Sequence, residues 1–472
     1  MKFSKDDFAS KLIFIVSLLL IYEVELRSIG HGDPLVDPVN AINLISSVWL
    51  SDLGLFLPII FATFSSNNKF IYYKNETLVF ICFLFIYGIF MFFIQGNQLY
   101  MLGQDLRVCF AIFTGLCLGA LLPNSPKTLA THITILSASA VFIATIILFA
   151  MPGASFLTLF IRTTHPRAFI ILGISIVLFS PAMILSILLR NRKLIALSWL
   201  SSILFLIISI LILQTRSLTI TVILGIISAF ITTMSLISFF KRNRNIRKLL
   251  KITKKVILIF MIFAAGVLYW RQDNLKPFLL RMEGLYSIHE DPGIEVRFKE
   301  LPEFFGSMTT FDHLFGKGLN PSTILTDPQG TRYNTLHFGV LNIWWRFGFP
   351  VFIMVIILFS ILFIKWLLNL KNLFFRSFSS EAPRGEPQDI FAESSEAKNA
   401  IPHCGKPQGF LAKEDEITNK TTALIVCAPG VITLFAVSCM SGGWGISTMI
   451  PLGILWGVYR KIYYSDSDLE WS

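Results

Sequence analysis

Gln214-Thr215-Arg216-Ser217 forms the turn between two apolar runs. A turn this short holds the Arg216 guanidinium close to both runs, and its planar fork suits bidentate contact with a phosphate or diphosphate. The same side chain could instead anchor a helix end at a membrane surface. A second set of groups lies between Arg271 and about Leu336: Arg271, Lys276, Arg281, Arg297, Lys299, Lys317 and Arg332, interleaved with Glu283, Glu290, Asp291, Glu295, Glu300, Glu303 and Asp312. Glycosyl or phosphoryl transfer needs cations for the departing phosphate and a base for the attacking hydroxyl. Both kinds of group are present, although a solvated charged surface would use the same residues. His337 stands where this stretch re-enters an apolar run, ahead of Asn342-Ile343-Trp344-Trp345-Arg346. An imidazole there can take a proton near neutral pH or hold a fixed hydrogen bond. Metal chemistry is not expected: His289, His313 and His337 lack compact ligand spacing, and the six cysteines contain no C-x-x-C pair. Gly316-Lys317-Gly318 lacks the remainder of a phosphate-loop pattern and gives no reason to expect a nucleotide.

These residues must be positioned by a chain that is mostly apolar. Of 472 residues, 54% are hydrophobic and only 15% are Asp, Glu, Lys or Arg, with a mean hydropathy of +0.68. That is too little charge to cover a soluble surface, so a soluble enzyme is excluded and an all-α polytopic membrane protein is expected. Runs long enough to span fall near 12–27, 47–64, 77–94, 106–122, 129–150, 168–189, 194–213, 218–240, 252–270, 340–368, 421–440 and 444–460, about twelve helices. The first run, followed by Tyr22-Glu23-Val24-Glu25 and lacking a small-residue cleavage site, reads as a retained helix and not a signal peptide.

Charge sets the orientation. The formal net charge is +11, and the basic residues sit mainly in short connections, which argues for topology and against nucleic-acid binding. The connection from Lys241 to Lys255 carries eight cations and no acidic residue, which places it in the cytoplasm together with both termini. It could also attract anionic lipid head groups. The expected organisation is therefore nine helices over 1–270, a partly helical periplasmic loop domain over 271–336, one helix over 337–368, a cytoplasmic disordered loop over 369–420 rich in Ser, Glu, Pro and Lys, and two last helices with a short tail over 421–472. Most runs carry no ionisable residue at mid-span and no internal repeat is visible, both of which argue against an ion-coupled transporter or flippase.

The order of these features resembles the superfamily of bacterial O-antigen polymerases and O-antigen ligases. The residues carrying the resemblance are Thr215-Arg216-Ser217, then Val296-Arg297-Phe298-Lys299-Glu300-Leu301, then Asp312-His313-Leu314-Phe315-Gly316-Lys317-Gly318-Leu319, and His337 followed by Gly348 in Arg346-Phe347-Gly348-Phe349-Pro350-Val351. It covers roughly residues 195–368, and His165-Pro166-Arg167-Ala168 extends it weakly. The resemblance implies a membrane glycosyltransferase with no metal or nucleotide cofactor, acting at the periplasmic face of the bacterial inner membrane on glycans carried by undecaprenyl diphosphate. Arg216 and Arg297 would hold the diphosphate and His337 would activate or orient the acceptor. Arg281, Arg332 and Arg167 would add substrate contacts, and Trp344 and Trp345 could flank a sugar ring or anchor the chain at the interface. Phe338 stands where the family usually carries Asn, Ser or Gln, so the polar neighbour of the histidine is missing. A polymerase would join one lipid-linked repeat unit to another, with a chain-length regulator protein as a further partner to look for. A ligase would move the finished chain to lipid A core. The several basic groups favour the polymerase.

Overall fold

A computed structural model describes residues 5–21, 43–45, 48–64, 76–97, 99–123, 125–150, 169–189, 191–208, 216–239, 300–319, 325–326, 332–333, 339–379, 419–440 and 446–463. The fold is all-α. Its helices are α1 Lys5–Ile21, α2 Leu50–Phe64, α3 Glu76–Ile94, α4 Leu99–Leu121, α5 Pro126–Ala150, α6 Phe169–Leu188, α7 Arg192–Ile208, α8 Arg216–Phe239, the short α9 Thr310–Phe315 and α10 Leu341–Phe347, then α11 Phe349–Ser379, α12 Asn419–Met440 and α13 Ile446–Tyr463. A helical run over 300–306 precedes α9. Two antiparallel pairs of two or three residues, Asn43–Ile45 with Val48–Trp49 and Leu325–Thr326 with Arg332–Tyr333, are the only strands among the described residues.

Eleven of the twelve apolar runs contain a described helix, and the run at 252–270 lies outside the described residues. Among the described residues one helix, Phe349–Leu373, is long and apolar enough to cross a bilayer. The 340–368 run, continuous by hydropathy, is in fact two helices. Gly348 ends α10 with its N–H donating to the Trp344 carbonyl (2.8 Å), and its φ of 83° turns the chain before α11 begins. Leucine, lysine and asparagine, all compatible with a helix, carry α11 on to Ser379, ten or so residues into the segment expected to be a loop.

The tightest helix pair is α4 against α13. Gly115 and Gly119 face Gly453 and Gly457; a Cβ on Gly115 would strike the Ile450 carbonyl, and one on Gly119 would lie 3.0 Å from the Gly457 Cα. Small residues four apart on both helices let the backbones touch, the usual basis of close helix association where lipid removes any hydrophobic drive. The pairing advances together along both helices, from Gly115 at Gly453 to Ala120 at Lys461, so the two run parallel. Helix α2 also runs parallel to α4: Asp52 meets Arg107, the Thr114 hydroxyl donates to the Leu55 carbonyl (2.6 Å), and Ala62 packs with Leu116, Cys117 and Ala120. Around this centre the main core gathers residues from α1, α2, α4, α5, α6, α7, α8, α11, α12 and α13, including Leu118, Ile133, Ile184, Val426 and Ile454. Several buried hydroxyls are satisfied locally, as when Ser186 and Thr433 donate to carbonyls four residues back.

Candidate functional site

The described part of the motif-bearing region is an interlocked unit at the head of α11. It begins with a capping box. The Asp312 amide donates to the Thr309 hydroxyl (3.2 Å), the Thr309 amide donates to Asp312 Oδ2 (2.9 Å), and α9 thereby starts despite being only six residues long. Gly316 stops it at φ 77° with its amide donating to the Asp312 carbonyl (2.7 Å). The next residues then lace onto α10: the Lys317 amide donates to the Trp345 carbonyl (2.7 Å) and the Gly318 amide to the Arg346 carbonyl (3.1 Å). Glycine is required here. Gly316, Gly318 and Gly348 all have φ between 77° and 83°, and a Cβ on any of them would strike backbone of Arg346, Phe92 or Leu314 respectively.

The end of α3 closes the other side. Gly96, at φ 63°, ends that helix with its own amide donating to the Phe93 carbonyl (3.1 Å) and the Asn97 amide to the Phe92 carbonyl (3.2 Å), a glycine-dependent helix stop. That stop presents two amides to the interlocked unit. Gln95 Nε2 donates to Asp312 Oδ1 (2.7 Å) and Asn97 Nδ2 donates to the Lys317 carbonyl (2.9 Å). Tyr87 adds a third bond from its hydroxyl to the Phe315 carbonyl (2.7 Å), and Gly88 admits Leu319, whose amide donates to the Gly88 carbonyl (3.3 Å).

Charges inside the unit are buried and held. The Lys317 ammonium donates to the Ser307 carbonyl (2.6 Å) and lies 3.8 Å from Asp312 Oδ2. Burial pulls its pKa below the ordinary lysine value, and the Asp312 charge opposes the shift. Arg346, fully buried, donates from Nη1 to Asn342 Oδ1 (3.1 Å), one helical turn back. Glu300 is buried at the start of the helical run. Asp312, a carboxylate that could serve as a base, has its two oxygens occupied by Gln95 and Thr309, so here it organises backbone.

Of the eight residues singled out from the sequence, His337, Arg297, Arg281 and Arg167 lie outside the described residues. Arg216 is the first residue of α8 and Arg332 opens the second strand of the short hairpin; the backbone of each is described. Trp344 and Trp345 are described in full. Trp345 is enclosed against Phe304 (ring centroids 5.3 Å) and its indole N–H has no partner among the described residues. Trp344 is half-buried, packed between His313 (5.6 Å) and Phe352 (5.6 Å), and its indole N–H donates to the His313 carbonyl (3.2 Å). Trp344 thus braces α9 against α11, and Trp345 holds the preceding helical run against α10. No group of three or more His, Cys, Asp or Glu among the described residues is placed to hold a metal ion.

Three features escaped the sequence reading. The Asp52–Arg107 pair, bidentate at 2.8 and 3.0 Å, joins residues 55 apart that only the α2–α4 packing brings together. Gln95 and Asn97, not singled out from the sequence, clamp the interlocked unit; the Gln-Gly-Asn sequence after a long apolar run was the available signal. The four-residue glycine spacing in α4 and α13 was likewise legible and identifies the central helix pair. In comparisons with known proteins, no family model, no curated protein and no solved structure matches the chain.

Proposed function

We propose that the protein is a polytopic membrane glycosyltransferase that polymerises a surface polysaccharide of O-antigen or capsule type, using undecaprenyl-diphosphate-linked glycan at the periplasmic face of the bacterial inner membrane. The observation that carries this reading is that two of the stretches on which the resemblance rests, 312–319 and 346–351, are built into one another at the head of an apolar helix. Chemistry at a lipid-borne diphosphate needs such a rigid mount at the membrane surface, because groups that bind the leaving group act only if preorganised.

The directions of the helices support the twelve-span arrangement. Parallel neighbours need an odd number of crossings between them. Between α4 and α13 lie six described long helices, α5 to α8, α11 and α12; if each crosses once, parallel packing calls for a seventh crossing, which we assign to the apolar run at 252–270. The contact of α3's end with the head of α11 requires an even number between them; α4 to α8 give five, and the same run makes six. On this arrangement 271–336 and the start of α11 share the outer side, opposite the basic connection at 241–255.

In the proposed reaction Arg216 and Arg297 bind the diphosphate of the donor. The acceptor hydroxyl loses its proton to His337 as its oxygen bonds to the anomeric carbon, and the bond from that carbon to the diphosphate breaks. Undecaprenyl diphosphate leaves with the electron pair, stabilised by the two guanidiniums. Trp344 and Trp345, as part of the brace, hold the mount on which the outer loop is carried. The test is the surface glycan of a strain lacking the protein. Loss of a polymerase leaves single repeat units on the core; loss of a ligase leaves no units attached; an unchanged glycan overturns both.

A further inference from the structure

Helix α9 and the two residues after it have two unlike sides. Asp312 and Lys317 point into the interlocked unit and are buried, whereas Phe311, Leu314 and Phe315 are 43 to 50% exposed. Phe305, from the preceding helical run, and Phe349, the first residue of α11, are exposed to a similar degree and both pack on Trp344, at 5.5 and 4.9 Å, whose ring also meets His313 of α9 at 5.6 Å. Five large apolar side chains in one patch are more than a watery surface tolerates without a partner.

What covers the patch follows from where it leads. Phe349 begins a line of exposed apolar residues spaced three or four apart along α11, through Ile353, Ile357 and Ile361 to Ile364. That line belongs to the one described helix long and apolar enough to cross a bilayer, and its exposure is that of a lipid-facing side. Phe349 joins this line to Trp344, and Trp344 joins it to α9 through His313. Aromatic residues at the end of a spanning helix, backed by buried polar groups, are the composition of a membrane–water interface.

We infer that residues 304–315 form an interfacial foot that beds into the outer boundary of the bilayer beside α11, with the Phe305, Phe311, Leu314 and Phe315 side chains among the upper acyl chains. The foot fixes the depth of the Asp312–Lys317 unit, and so of the loop it carries, relative to the plane where lipid-borne diphosphates lie. This inference rests on the reading of the chain as a membrane protein.

The test places a fluorescent amino acid, by codon suppression, at Leu314, at Phe311 or at Ile361 of the full chain. Each variant is reconstituted in vesicles of phosphatidylcholine and phosphatidylglycerol. Quenchers are nitroxide lipids labelled near the glycerol or near the chain middle, and aqueous iodide. The Leu314 and Phe311 probes should lose fluorescence to the shallow nitroxide and resist iodide, while the Ile361 probe loses it to the deep nitroxide. Quenching of both foot probes by iodide alone would put the patch in water. Quenching by none of the three would mean that protein covers it, such as a second copy. Either result overturns the foot while leaving the membrane reading intact, if Ile361 responds to lipid. An Ile361 probe that ignores both nitroxides would sink the membrane reading and the foot together.

Discussion

Gly348→Ala is the substitution with the most specific structural consequence. At φ 83° and ψ 167°, the backbone is in a region occupied almost only by glycine, which costs another residue roughly 1–3 kcal/mol. The added Cβ would strike the Leu314 carbonyl oxygen and lie 2.6 Å from its carbon and 2.9 Å from the Phe315 amide nitrogen. All three are backbone atoms and cannot rotate aside, so overpacking adds about 1–3 kcal/mol. The sum, roughly 2–6 kcal/mol, is a large part of the ~5–15 kcal/mol that holds a typical domain together. Gly306→Ala is the internal control, because a Cβ there meets nothing within 4 Å and the residue is exposed at the end of its helical run. It should be neutral or stabilising by about 0.5–1 kcal/mol. Thermal unfolding of both variants in the same detergent, followed by size-exclusion of heated samples, compares them directly. Gly348→Ala melting with the parent protein, or Gly306→Ala falling as far, would refute the account of the interlocked unit.

Three other outcomes are expected. Arg216→Lys and Arg297→Lys keep the charge but lose the planar fork, and each should lower transfer by about ten- to a hundredfold, corresponding to a charge-assisted contact of ~1.5–3 kcal/mol; wild-type polysaccharide from Arg→Ala variants at equal expression would assign both to helix anchoring. Because Lys317 has a lowered pKa in the folded protein, the unfolded chain binds the proton more strongly in the interval below the ordinary value of 10.5, so stability should rise with pH through that interval, and Lys317→Met should flatten the rise measured by melting against pH. With native cysteines replaced, cysteines at Glu303 and Ser380 should react with an impermeant thiol reagent from opposite sides of sealed vesicles, and labelling from one side would break the crossing arithmetic.

The elements were legible because apolar length is a direct readout of helix existence in a low-charge chain, and eleven of twelve runs contain one. Their lateral arrangement was not. Helices that are apolar all round carry no polar face to say which side meets protein, so nothing local marks the α2–α4 contact, and the glycine spacing is the one sequence trace of the α4–α13 pair. The break at Gly348 was hidden for a related reason: hydropathy is blind to a positive φ inside an apolar run. Within the site, the Gly316-Lys317-Gly318 triplet stands out in the sequence, but its use in lacing α9 to α10 depends on Arg346 and Phe92, distant in sequence. Asp312 is one carboxylate among the seven of that stretch, and its engagement by Gln95 and Thr309 ties both of its oxygens to structure.

The central claim is glycosyl transfer between lipid-linked glycans, and purified protein in lipid with a defined undecaprenyl-diphosphate oligosaccharide tests it most directly. The wild-type chain should lengthen the glycan and release undecaprenyl diphosphate without added metal or nucleotide. His337→Ala should lose about a hundred- to ten-thousandfold of that rate while still binding donor, and His337→Gln, which can hydrogen-bond but cannot accept the proton at neutral pH, should be equally slow. Substantial transfer by the Gln variant would remove His337 as the base. Intact donor and no lengthened product from the folded wild-type protein, with the cognate glycan supplied, would contradict the claim itself.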